Sequence, residues 1–62
     1  MREFRRVRRP RVGDVADHRS GSLDPRVVSR VSEDGKQVWL ALRTREIGPV
    51  PAANYTFERA VS

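Results

Sequence analysis

The strongest constraint on what this chain can fold into is the stretch Arg26-Val-Val-Ser-Arg-Val-Ser32, Glu-Asp-Gly-Lys, Gln37-Val-Trp-Leu-Ala-Leu-Arg43. Two runs rich in β-formers flank Asp34-Gly35, a dipeptide that tolerates positive φ at both central positions of a type I′ turn, and together they predict a β-hairpin. With a two-residue turn, Val31 faces Val38, Ser29 faces Leu40 and Val27 faces Leu42. This in-phase register puts Val27, Val31, Val38, Leu40 and Leu42 on the core face and Val28, Arg30, Trp39 and Ala41 on the other. Trp39 then lies opposite Arg30, where a cation–π contact contributes roughly 0.5–1 kcal/mol at an exposed site.

The rest of the chain follows the same short-strand rhythm. Val12-Gly13-Asp14-Val15 reads as a strand that begins at a tight bend. Residues 16–25 form a polar loop with Ser-Gly-Ser at its centre and Leu23 as its one apolar anchor. Ten residues is long for a connection in so small a domain, so the loop is either a working surface or a plain excursion between strands. Gly48-Pro49 signals a second turn and Pro51 another strand break. Pro51-Ala-Ala-Asn54 then has the length of a single helical turn. Tyr55 to Val61 alternates, with Tyr55, Phe57 and Arg59 on one side and Thr56, Glu58 and Ala60 on the other. About five strands with turns every eight to twelve residues, and no sustained helical period, predict an all-β fold: a small five-stranded barrel over residues 12–62, with one 3-10 turn near residues 51–54.

Within this region, Trp39, Gly48, Pro51, Asn54 and Tyr55 resemble the second half of a Src homology 3 domain. In that family a Trp begins the third strand, a Gly-x-x-Pro precedes a one-turn 3-10 helix, and Asn-Tyr leads into the last strand. The resemblance covers residues 39–55 and implies a Src homology 3-like barrel. It also implies a protein-binding surface at Trp39, Pro51 and Tyr55, where the family accepts a polyproline helix. Two departures weaken the ligand part: two alanines separate Pro51 from Asn54, and the family's aromatic first strand, Ala-Leu-Tyr-Asp-Tyr, is absent. The resemblance therefore supports the barrel more than polyproline binding.

The charge of the chain is divided sharply. Residues 1–11 hold six Arg and one Glu, whereas residues 12–62 hold seven basic and seven acidic side chains, so the whole net charge of +5 lies in the first eleven positions. Pro10 and the mutual repulsion of the arginines oppose a helix there, and residues 1–11 read as a flexible basic arm. Twelve of the thirteen cations are Arg, which fits either selection for bidentate contacts or the codon usage of a GC-rich genome. In length and Arg usage the chain resembles small accessory proteins of high-GC bacteria or their phages.

Several classes are disfavoured. A chain of 62 residues buries about 60% of its unfolded surface, enough for one thin core and a stability on the order of 3–9 kcal/mol. The absence of Cys removes disulfides and thiol chemistry, and makes a reducing cytoplasm the expected compartment, the host's if the chain is phage-encoded. No apolar run approaches a membrane span, so no membrane partner is expected. His18 stands among Asp17, Ser20, Ser22 and Asp24, which are the types of a hydrolytic triad. Eight residues within one loop cannot align nucleophile, base and orienter and also build an oxyanion hole. No metal set and no phosphate loop is present, so neither enzymatic activity nor a cofactor is expected.

Two functions remain. In the first, the chain binds DNA or RNA, mostly without sequence specificity, through Arg2, Arg5, Arg6, Arg8, Arg9 and Arg11, with Arg30 and Arg43 beside Trp39 as an added surface. In the second, it is a protein-interaction module, a host-binding phage product or an assembly component, whose arm docks in an acidic groove of a larger protein. In either case exposed strand edges permit pairing with a second copy.

Overall fold

Short β-prone runs punctuated by Gly and Pro become six strands. The computed structural model describes residues 3–61, with β1 (Glu3–Val7), β2 (Val15–His18), β3 (Arg26–Val31), β4 (Gln37–Ala41), β5 (Glu46–Pro51) and β6 (Tyr55–Val61); a 3-10 turn, Ala52–Asn54, joins the last two. All neighbours are antiparallel, in the order β1-β6-β2-β3-β4-β5. No helix among the described residues is long and apolar enough to cross a membrane.

Two expectations are corrected by this arrangement. There are six strands, not five, because residues expected as a flexible arm form β1, paired with β6 from Glu3 opposite Val61 to Val7 opposite Phe57. The sheet also does not close into a barrel: β1 and β5 are its two free edges. Pro49 and Pro51 remove two N–H donors from β5, which makes it a poor template for another strand.

The hairpin departs from the expected in-phase register as well. Val31 does pair with Val38 and Arg30 with Trp39, but the register shifts at Ser29, and Val28 then pairs with Leu40 and Val27 with Ala41. Val28 is consequently fully buried and Val27 is 47% exposed, the reverse of the sequence expectation. Leu42 falls outside β4, in the turn where its N–H donates to the Arg45 carbonyl at 2.7 Å. The connection is not a type I′ turn, since no described non-glycine residue has positive φ. Instead Gly35 (φ +74°) alone takes that conformation, and its N–H donates to the Ser32 carbonyl. The Asp34 carboxylate accepts from the Lys36 N–H (2.9 Å) and the Ser32 hydroxyl (2.7 Å), which fixes a wider loop.

A second irregularity faces the first across β4. The β4–β5 register shifts between Val38 and Leu40, where Val50 and Ile47 are the partners and Gly48-Pro49, joined by a cis peptide bond, occupies the extra length. The turn expected at Gly48-Pro49 is thus a bulge inside one strand, whereas the strand does break at Pro51, where β5 ends and the 3-10 turn follows. The core comprises Ala16, Val28, Val38, Leu40, Tyr55 and Phe57, with Val7, Val31, Ile47, Val50 and Ala52 packed against it. Every strand supplies at least one of these side chains, so the sheet must curl around them. Its extents of 31 × 25 × 22 Å agree, since sheet layers stack only roughly 10 Å apart and one flat layer would not reach 22 Å in its thinnest direction.

Gly48 is required where β5 bulges under Trp39. Its φ is +138°, and a Cβ would lie 2.9 Å from both Trp39 Cδ1 and the Val38 carbonyl oxygen. Gly48→Ala should cost about 3 kcal/mol, combining backbone strain with an overpacked contact. Gly21→Ala, at φ +73° with open space around it, should cost only about 1 kcal/mol. Paired thermal melts check the ranking, with roughly 4–8 °C expected per kcal/mol in a domain of this size.

Candidate anion-binding cleft

The segment that follows β1 is held by a buried carboxylate. Asp14, 2% exposed, sits in a turn closed by its own N–H donating to the Arg11 carbonyl at 3.0 Å. Gly13 and Asp14 exchange main-chain hydrogen bonds with Val28, which docks this turn on β3. Asp14 Oδ1 accepts from Arg59 Nε, and Oδ2 accepts from Arg59 Nη2 and the Arg11 N–H, at 2.8–2.9 Å. Arg59 Nη2 also donates to the Arg9 carbonyl at 3.2 Å. One ion pair therefore joins residues 9–11 to β6, and Pro10 among them is buried. Burial alone would push the Asp14 carboxyl up, but the Arg59 and Arg11 hydrogen bonds and the nearby guanidinium charge outweigh it and hold it below the usual range.

The positions expected to bind anions separate into two groups. Arg5 and Arg6 lie on β1, and Arg8, Arg9 and Arg11 in the stretch after it; Arg2 lies outside the described residues. Among the described residues only Arg30 and Arg59 pair with carboxylates, so these five arm arginines have no acidic partner within 4.0 Å. Arg30 is differently placed. Its guanidinium lies 4.5 Å from the Trp39 ring centroid and donates to Glu46 at 2.6 Å, while Ser29 Oγ donates to the same carboxylate at 2.7 Å. The Ser29 and Arg30 hydrogen bonds hold the Glu46 carboxyl below its ordinary value. Arg43 is exposed in the β4–β5 turn.

The aromatic surface expected from the resemblance is divided between faces. Trp39 lies on the outer face of β4, between the inward Val38 and Leu40, whereas Tyr55 belongs to the core and meets His18 edge-on at 5.0 Å. Pro51 is exposed at the end of β5. His18 Nδ1 lies 2.7 Å from Ser20 Oγ, which lies 2.7 Å from Ser22 Oγ; no carboxylate hydrogen-bonds the imidazole. No cluster of three metal-ligating side chains occurs among the described residues.

A cleft of about 680 Å³ lies beside β1. Arg6 and Arg8 line it from the β1 side, Arg19 and Lys36 from the side of the 3-10 turn, and among the described residues no carboxylate side chain lines it. Val7, Pro10, Ala52, Tyr55 and Phe57 give it an apolar floor. Arg19 is aimed by a 2.7 Å hydrogen bond from its Nε to the Ala53 carbonyl, and Lys36 is tied to the same turn by the Ala52 N–H donating to its carbonyl at 2.9 Å. Sequence reasoning missed Arg19 and Lys36 as site residues. The only sequence signal was the length of the loop that holds Arg19, and only the fold shows that both residues line one cleft with Arg6 and Arg8.

The low carboxyl pKa values set an acid limit. Asp14, Asp34 and Glu46 all lie below their ordinary values of 3.8, 3.8 and 4.5. A depressed folded value contributes stability that is present above the unfolded value and lost as pH falls through the folded one, so stability should decline below about pH 4. Asp14→Asn should lower stability at pH 7 by about 2–4 kcal/mol, since it leaves buried donors poorly paired, and should flatten the acid limb. Urea titrations at pH 7 and pH 3 check both points.

No family model, no curated protein and no solved structure matches this chain.

Proposed function

We propose that this protein is a non-enzymatic nucleic-acid-binding accessory protein of the cytoplasm, in which a Src homology 3-like small β body presents a fixed row of arginines. The 3-10 turn before β6 supports that description of the body. The observation that carries the functional reading is the set of five arm arginines without acidic partners among the described residues, on backbone tied down at both ends, by the β1–β6 ladder and by the Asp14–Arg59 pair. Cations held in place lose less conformational entropy on binding than cations on a free tail. Phosphate is the fitting ligand because Arg presents a fork of donors that matches its oxygens, and because phosphate contacts need no base readout. Binding is then mostly independent of sequence.

A second reading has its own observation. The free edge of β1 can accept an extended acidic segment of another protein by strand addition. Pairing of β1 with a second β1 is opposed by the repulsion of Arg5 and Arg6 with their copies.

Fluorescence-anisotropy titrations of DNA and RNA oligonucleotides at 50 and 200 mM salt test the proposal. If the five arginines each neutralise one phosphate, the log–log salt slope should be about −3.5 on single strands and −4.5 on duplex. Arg8→Ala with Arg9→Ala should reduce the magnitude of the slope by about two on duplex, whereas Arg45→Ala on the exposed β4–β5 turn should leave it unchanged. Absence of binding at 50 mM salt, with retention of one protein partner from nuclease-treated extract, would overturn the nucleic-acid reading in favour of the second.

A further inference from the structure

We infer that the cleft beside β1 takes an unpaired nucleic-acid strand in preference to a duplex, an inference that rests on the nucleic-acid reading above. The cations line a concavity and do not form a flat face. Arg6 and Arg8 belong to β1 and the residues after it, Arg19 and Lys36 are fastened to the 3-10 turn, and the apolar floor lies with them in one cleft. A duplex presents its phosphates on a convex cylinder that meets only the rim of such a cleft. A single strand can enter it, with phosphates against the lining cations and a base against the apolar floor.

The described residues also offer no element suited to a duplex groove. A major groove admits an α-helix or a two-stranded ribbon. The sole helical segment among the described residues is three residues long, and the tip of the β3–β4 ribbon carries Glu33 and Asp34, which phosphates repel. The Asp34 carboxylate is turned to the Ser32 hydroxyl and the Lys36 N–H and does not line the cleft. Because Tyr55 and Phe57 are only 9% and 3% exposed, a base meets the floor by apolar contact without a full stacking platform. The cleft therefore selects strandedness and discriminates little among bases.

The test compares a labelled 12-mer as single-stranded DNA, as single-stranded RNA and as DNA duplex at 50 mM salt, using the full chain. Single strands should bind at least tenfold more tightly than duplex. Arg19→Ala with Lys36→Ala should weaken single-strand binding about tenfold and lower the magnitude of its salt slope by about 1.4, while duplex binding changes less than twofold. Lys36→Glu, which alters a side chain with no intramolecular hydrogen bond and keeps the Arg19 contact, should act in the same direction and guards against misfolding of the double variant. Duplex binding as tight as single-strand binding, or equal weakening of both by these variants, overturns the cleft inference and leaves the nucleic-acid reading standing. Failure of every oligonucleotide to bind removes both.

Discussion

A chain of this size has room for one core, and all six strands have to reach it. A regular sheet cannot arrange that, because alternation sends every second side chain outward and a flat sheet separates its two edges. The two register shifts on either side of β4 resolve the conflict. In β3 the shift at Ser29 lets Val28 and Val31, three positions apart, both face inward; in β5 the length at Gly48-Pro49 does the same for Ile47 and Val50. Bulges increase local twist and bend. Both flank Trp39, the outward residue of the undistorted strand between them, so the sheet bends along β4 until β1 and β5 share one cluster. The close approach of Gly48 to Trp39 follows from this bend.

The features legible in the sequence are those that local chemistry decides. Asp34-Gly35 sets a turn wherever the chain goes, the Pro51 to Asn54 stretch is long enough for one 3-10 turn, and Tyr55 and Phe57 alternate as a strand must. The bulges were hidden because nothing in Arg26-Val-Val-Ser-Arg-Val states which valine should yield. Val27 and Val28 have equal claims to the core until the curvature of the sheet chooses between them. Strand β1 was hidden for a different reason. Judged alone, six arginines repel and stay apart, but β6 supplies a hydrogen-bonding edge, Phe57 a neighbour for Val7, and Glu58 a cross-strand position opposite Arg6. The cleft is the least legible feature, since Arg19, Lys36 and Arg8 come from three connections that only tertiary contacts bring together.

Anchoring changes the physical character of the arginine-rich start. A free tail meets a polyanion at many angles and loses conformational freedom on contact, whereas a strand fixed against β6 and a segment fastened at Asp14 have lost that freedom during folding. The charge is also directed. Arg6 and Arg8 line the same cleft as Arg19 and Lys36, while Arg30 is occupied by Glu46 and Trp39. The body, neutral by count, is thus uneven in space.

The cross-strand pair of Arg5 and Arg59 shows how such a surface remains compatible with a small core. Like charges opposed on neighbouring antiparallel strands repel, and this pair sits on a strand that must stay docked for Val7 to cover the cluster. Asp14 removes most of the conflict by occupying the Arg59 guanidinium with two hydrogen bonds from below, which leaves Arg5 without a competing free charge across the strand. The same carboxylate orders Arg11 through its N–H and, through Arg59, the Arg9 carbonyl. A single buried acid therefore does what a set of surface carboxylates would otherwise do. Surface carboxylates would also have neutralised the arm, and the burial of this one leaves Arg5, Arg6, Arg8, Arg9 and Arg11 on an ordered backbone without acidic partners among the described residues.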